Sequence, residues 1–159
     1  MTVNWTDVLH RLRTYPAAAH RIRPPCPESQ IEAAEQQLGK FPTPLSDMLR
    51  HFNGARLFDN CGEFVALFGI SEEPPLPALE WAADWHIDKF TPKWRAAGKD
   101  RQDDWAFAMM NYGELILLDG HCTVKGWDTS QQKWTPGTCS LYQWIEGILR
   151  GGEAYLNES

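Results

Sequence analysis

Asp119, His121 and Cys122 fall within four positions of one another, between residues that read as a turn. A carboxylate, an imidazole and a thiol are the side chains of metal sites and of Cys–His nucleophiles. Both chemistries need the groups to converge. Neighbouring residues of a hairpin point in different directions, and no second His/Cys cluster lies elsewhere in the sequence. The four cysteines, Cys26, Cys61, Cys122 and Cys139, form no C-x-x-C pair, which removes the strongest zinc and redox signatures. Cys26, Cys61 and Cys139 read as small, partly buried hydrophobes. His10, His20, His51 and His86 are scattered and expected on or near the surface. The acid pairs Glu72-Glu73 and Asp103-Asp104 sit beside turn signals, where solvated carboxylates are common. Acid–base catalysis needs two carboxyls facing each other with separated pKa values. There is no G-x-G-x-x-G and no G-K-[ST] phosphate loop. No catalytic residue, metal ligand or cofactor is assigned. A small enzyme with a Cys/His site is the least favoured reading.

Charge and aromatics carry more. The formal net charge is −6, and eight tryptophans occur in 159 residues. Residues 1–40 hold five Lys/Arg against four Asp/Glu; residues 41–159 hold ten against seventeen. From Leu57 to Asp88 there is no Lys or Arg, but there are Asp59, Glu63, Glu72, Glu73, Glu80, Asp84 and Asp88. Such a stretch repels nucleic-acid phosphate and suits a basic protein partner. A helix from Ala78 to Phe90 would set Trp81 and Trp85 at i, i+4 among Glu80, Asp84 and Asp88. Its tryptophans either pack on a sheet or anchor a partner, since exposed indoles are typical binding hot spots. Trp94 belongs to the same group; Trp5, Trp127 and Trp144 fit core stripes. The basic residues Arg11, Arg13, Arg21 and Arg23 read as a solvated helix face and loop.

The elements that would position these residues follow from periodicity. Trp5, Val8, Leu9 and Leu12 form one stripe of a helix over residues 3–15, with Thr2 or Asn4 as its cap and Tyr15-Pro16 as its end. Pro27 opens a second helix whose Ile31, Ala34 and Leu38 share a face and whose end is Gly39. Thr43-Pro44 opens a third, with Leu45, Met48, Leu49 and Phe52 on one side and Asn53-Gly54 as the stop. Glu63–Ile70 reads as a buried strand. Trp105–Met110, Glu114–Leu118 and Thr123–Asp128 read as strands joined by short turns, hence an antiparallel meander, extended by residues 132–134. Ser140 caps a last helix, which Gly151-Gly152 ends before a frayed tail. The expected fold is α+β: N-terminal helices and a C-terminal helix packed on an antiparallel meander sheet, in one domain over residues 1–159. A chain of this length buries roughly 70% of its unfolded surface and needs no staples. No apolar run reaches membrane-spanning length, and no basic-then-apolar leader opens the chain. A cytoplasmic location with reduced thiols is expected.

Two segments together resemble a known family. One runs from Pro27-Glu28-Ser29-Gln30-Ile31 through Glu35, Leu38-Gly39 and Phe41-Pro42 to Phe52-Asn53-Gly54. The other is Asn111-Tyr112-Gly113-Glu114-Leu115, the strand pair after it, and Ser140-Leu141-Tyr142-Gln143-Trp144-Ile145. In order and spacing they resemble the SUKH superfamily, over about residues 25–150. Phe41 and Leu141 depart from its usual Leu and Phe but stay apolar, and Pro74–Arg101 has no match in the pattern. The superfamily includes bacterial immunity proteins and a fungal cell-wall-synthesis regulator. The resemblance implies helices on an antiparallel sheet, a protein-binding role, no cofactor and no catalytic residue. Its bacterial members look like immunity proteins that neutralise a polymorphic toxin by tight association. The expected function is therefore immunity to a cognate toxin, a basic nuclease being the easiest match. The alternative is a regulatory or scaffold module that binds a cellular protein. The expected partner-binding residues are Glu72, Glu73, Glu80, Trp81, Asp84, Trp85 and Asp88.

Overall fold

The computed structural model describes residues 2–15, 19–59, 64–71 and 85–158. Its elements run α1 (Trp5–Arg13), β1 (Arg21–Ile22), α2 (Glu28–Leu38), α3 (Thr43–His51), β2 (Ala55–Leu57), β3 (Val65–Leu67), α4 (Ile87–Ala96), β4 (Trp105–Met110), β5 (Glu114–Leu118), β6 (Thr123–Asp128), β7 (Lys133–Trp134), β8 (Cys139–Ser140) and α5 (Leu141–Glu158). Strands β1 to β7 lie in sequence order in one antiparallel sheet, and β8 also pairs with β6. The α+β meander expected from sequence is the fold.

Local chemistry sets the helix ends. The Asn4 side chain accepts the Asp7 N–H and caps α1. Ser140 and Gln143 form a reciprocal capping box: Gln143 N–H donates to Ser140 Oγ at 3.1 Å, and Ser140 N–H donates to Gln143 Oε1 at 3.1 Å. Helix α3 starts at Thr43 itself, with Pro42 before it and Pro44 in the first turn.

The register divides the side chains between two faces. Glu114, Ile116 and Leu118 share a face with Val124 and Gly126; Leu115 and Leu117 share the other with Lys125 and Trp127. Helix α5 covers the first face, where Trp144 joins Glu114, Ile116, Val124 and Gly126 around one cavity. Helix α4 reaches the second through Trp94, whose ring lies edge-on to Trp127 at 5.3 Å. A bulge between Ala106 and Ala108 interrupts β4. Phe107, inside it, packs against Trp144 of α5 at 5.6 Å, the kind of re-aimed side chain a bulge permits.

Two helix boundaries differ from the expectation. Helix α4 is not Ala78–Phe90. It begins at Ile87, runs through Pro92 and ends at Ala96. Residues 78–84 lie outside the described residues, and Trp85 precedes the helix, outside any helix or strand. Proline costs α4 one backbone donor, while packing on β4 holds the helix: Thr91, fully buried, accepts the Ala106 N–H on its hydroxyl at 3.0 Å. Helix α5 does not stop at Gly151-Gly152 but continues to Glu158. A Cβ at Gly152 would fall inside the van der Waals envelope of the Phe58 ring. This glycine therefore serves close approach rather than termination. Arg11 of α1 then clamps α5 on both sides of the glycines, pairing with Glu146 at 2.7 Å and Glu153 at 2.5 Å.

Phe58 is held from its other side by His20. The Phe58 N–H donates to His20 Nδ1 at 3.0 Å, and the rings meet edge to face at 4.7 Å. His20 is thus buried rather than superficial, and burial lowers its pKa below 6.5. Arg23 is buried too, with a nitrogen 3.4 Å from Ile70 O, rather than solvated.

Two predictions follow from this packing. Gly152→Ala would stabilise an ordinary helix by about 1 kcal/mol; here, overpacking against Phe58 outweighs that, for a net loss of about 1–2 kcal/mol in urea unfolding. As pH falls below 6.5, the unfolded chain binds a proton at His20 that the folded chain resists, so stability falls. Unfolding midpoints between pH 7.5 and about 5 should show this slope, flattened in His20→Asn.

Candidate functional site

The acidic and aromatic run sits between two described segments, residues 64–71 and 85–96. What brings these segments together begins at Asn53. Its side chain is fully buried. Asn53 Oδ1 accepts the Ile70 N–H at 2.7 Å, and Asn53 Nδ2 donates to Ile70 O at 3.0 Å. The amide thus serves both backbone groups of Ile70, as another strand would. The neighbouring glycines make this approach possible. Gly54 has φ +84°, and a Cβ there would lie 2.7 Å from Gly69 N and Leu67 O. At Gly69 a Cβ would collide with the backbone of Asn53. The Asn-Gly pair that ends α3 is therefore also a clamp on the strand opposite.

From that clamp the chain is tied to α4. Gly69 and His86 form a parallel bridge, and Ile87 N–H donates to Gly69 O at 2.8 Å. Ser71 donates to Asp88 from both its backbone N–H, at 2.9 Å, and its hydroxyl. The residues on either side of positions 72–84 are thus pinned side by side. Trp85 is half-buried and stacks on Phe68 at 6.2 Å with an interplanar angle of 26°. Phe90 of α4 meets the same ring at 5.9 Å. Asp88 is also half-buried, and both its carboxylate oxygens are engaged by Ser71. Of the seven expected partner-binding residues, Trp85 and Asp88 share this base. Glu72, Glu73, Glu80, Trp81 and Asp84 lie outside the described residues.

Trp94 is a different case. It is buried, and its Nε1–H donates to Asp104 Oδ2 at 2.9 Å. Lys125 Nζ donates to the other oxygen of Asp104 at 2.6 Å. Asp104 is buried, not solvated as its place beside a turn suggested. Arg101 stacks over the Trp94 and Trp127 rings at 3.8 and 4.7 Å. Trp127 and Trp144 are half-buried. Trp134, 38% exposed, closes the cluster edge-on to both Trp94 and Trp127. Cations that fill their own aromatic box leave no empty cage there for a ligand cation.

The Asp119, His121 and Cys122 cluster also resolves into turn chemistry. Asp119 Oδ1 accepts the N–H groups of His121 and Thr123, an Asx-type turn. His121 is exposed. Burial, with Asp119 nearby, pushes the Cys122 thiol up to about 11, the opposite of an activated thiolate. Among the described residues no three His, Cys, Asp or Glu side chains are grouped as metal ligands. Nor is any described helix long and apolar enough to cross a membrane.

An antiparallel sheet carrying helices on both faces, with a side-chain amide clamp just past the end of β3, defines a small α+β domain. The SMI1 / KNR4 family (SUKH-1) matches residues 25–134. The chain belongs to that family, one generally of non-catalytic immunity or regulatory domains that bind proteins. No curated protein matched the chain. The match ends at β7, so helix α5 lies beyond it, with Gly152 but not the Phe58 that it packs on.

Replacing Asn53 by Ala leaves the buried Ile70 N–H without a partner and its C=O with only the long contact from Arg23. Each such group costs about 1–3 kcal/mol, so a loss of about 2–4 kcal/mol is expected in chemical unfolding. A loss below about 1 kcal/mol would mean that water replaces the amide.

Proposed function

We propose that this protein is an immunity-type inhibitor that neutralises a cognate polymorphic toxin by direct association. The single observation carrying this reading is the membership of the chain in the SMI1 / KNR4 family, combined with a base-free stretch from Leu57 to Asp88. The flanks of residues 72–84 are fixed by Ser71–Asp88 and Gly69–His86. A segment held at both ends loses less entropy on binding than one with a free end. Glu72, Glu73, Glu80, Trp81 and Asp84 are the proposed contacts, with Trp85 at the edge. Asp88 keeps Ser71 in place, so its role is in holding the base as much as in meeting a partner.

The mechanism is steric and electrostatic. Carboxylates meet the basic groups with which a toxin holds its substrate, and the indoles supply apolar anchors. A nuclease toxin fits best, because its phosphate-binding lysines and arginines complement this run. Acids speed encounter more than they tighten the complex, so charge reversal should act mainly on association and its salt dependence.

Co-expression with the product of the adjacent gene tests this directly. The account expects capture of the toxin and rescue of growth. Trp81→Ala should weaken capture by about 30-fold, corresponding to ~2 kcal/mol. Glu80→Lys with Asp84→Lys should slow association, and Glu32→Lys on the exposed face of α2 should change nothing. Rescue that survives all the changes at 80, 81 and 84 would remove this surface from the interface. Capture of a cellular protein with no toxin and no rescue would favour a regulatory module instead.

A further inference from the structure

One cavity has a charge character opposite to that of the acidic run. It encloses about 550 Å³ between the end of α1, strand β1 and the end of α3. That volume lies within the range of small-molecule sites. Arg13, Tyr15, His20, Arg23 and His51 bring its polar groups, and Leu12, Ile22, Pro24 and Pro25 its apolar wall. No carboxylate lines it among the described residues. Arg13 is exposed and makes no ion pair among the described residues.

His20 supplies the second observation. It is 7% exposed. Because its Nδ1 accepts the Phe58 N–H, the neutral ring carries its proton on Nε2. That buried Nε2–H has no acceptor among the described residues. A buried donor left without a partner costs about 1–3 kcal/mol, so an acceptor bound here would relieve a standing penalty. His51 is already engaged at both nitrogens, by Asp47 O at 2.8 Å and Thr6 Oγ1 at 3.2 Å. It shapes the wall and does not compete.

We infer that this cavity binds a small organic anion, its carboxylate or phosphate oxygens accepting from His20 Nε2–H and facing the Arg13 guanidinium, its apolar body against Ile22, Pro24 and Pro25. None of the described residues lining this cavity belongs to the proposed toxin-binding set, so the two stand or fall separately.

Phenyl phosphate and benzoate are suitable probes, since each joins an apolar ring to one oxyanion type. Titration into the ¹⁵N-labelled protein should move the His20 and Arg13 side-chain signals saturably with at least one of them. The tighter probe identifies the head group. Arg13→Gln should weaken binding at least about tenfold, equivalent to ~1.4 kcal/mol. His20→Asn can keep an oxygen near the Nδ1 position for Phe58 N–H while removing the Nε2 donor. It should stay folded, as its backbone spectrum will report, and lose binding. If His20→Asn does not fold, Arg13→Gln alone decides. No saturable shift with either probe, or equal binding in the variants, overturns the inference.

Discussion

The Asn53 side chain stands in for a missing strand. Its amide meets both backbone groups of Ile70, beyond the point where β3 ceases to pair with β2. A buried peptide group without a partner is among the most costly defects a fold can carry. Here one side chain satisfies two such groups at once. It works only because Gly54 and Gly69 bring the two backbones to a distance no Cβ would allow. From that contact the order propagates outward. Gly69 pairs with His86, Ser71 with Asp88, and α4 takes its place beside β4.

A second chain of contacts ties α5 to α1 and to the end of β2. His20 holds the Phe58 N–H while Phe58 keeps a left-handed backbone with φ 55°. The Phe58 ring occupies the space that Gly152 leaves, and Arg11 ties α1 to α5 through Glu146 and Glu153. The two devices share a logic. Each uses a glycine to admit a close approach and a polar side chain to fix it. Together they give the sheet rigid supports and pin Ser71 and Asp88, the flanks of residues 72–84, side by side. For a domain proposed to recognise one partner among many, a fixed base with a replaceable insert separates stability from specificity.

Much of this was legible in sequence because it is periodic. The stripes of α1, α2 and α3 and the three central strands follow from apolar spacing, and the Ser140–Gln143 cap follows from the residues that helix starts require. Exchanges between distant residues were not legible. Gly151-Gly152 reads as a stop until Phe58 is seen beneath it. Asp104 looks solvated until Trp94 and Lys125 converge on it. His20 looks superficial until Phe58 needs an acceptor. Helix α4 runs past its expected end at Phe90 because packing on β4 outweighs the local preference of Pro92 against helix. Strands β1, β2 and β8 escaped because two or three residues carry no period. Within the proposed site, Trp85 packs on Phe68, and Asp88 has a partner within the chain in Ser71. The basic pocket left no sequence signal except the scattered Arg13, His20, Arg23 and His51, which only the fold brings together.

Hydrogen exchange on the free protein and on its complex with the captured toxin tests the account most directly. If the clamp at Asn53 is the fixed base of a binding insert, the Ile70 amide exchanges among the slowest in both states, and protection gained on binding concentrates in residues 72–85. A fast Ile70 amide in the free protein, or new protection confined to α1 and α5, would contradict it.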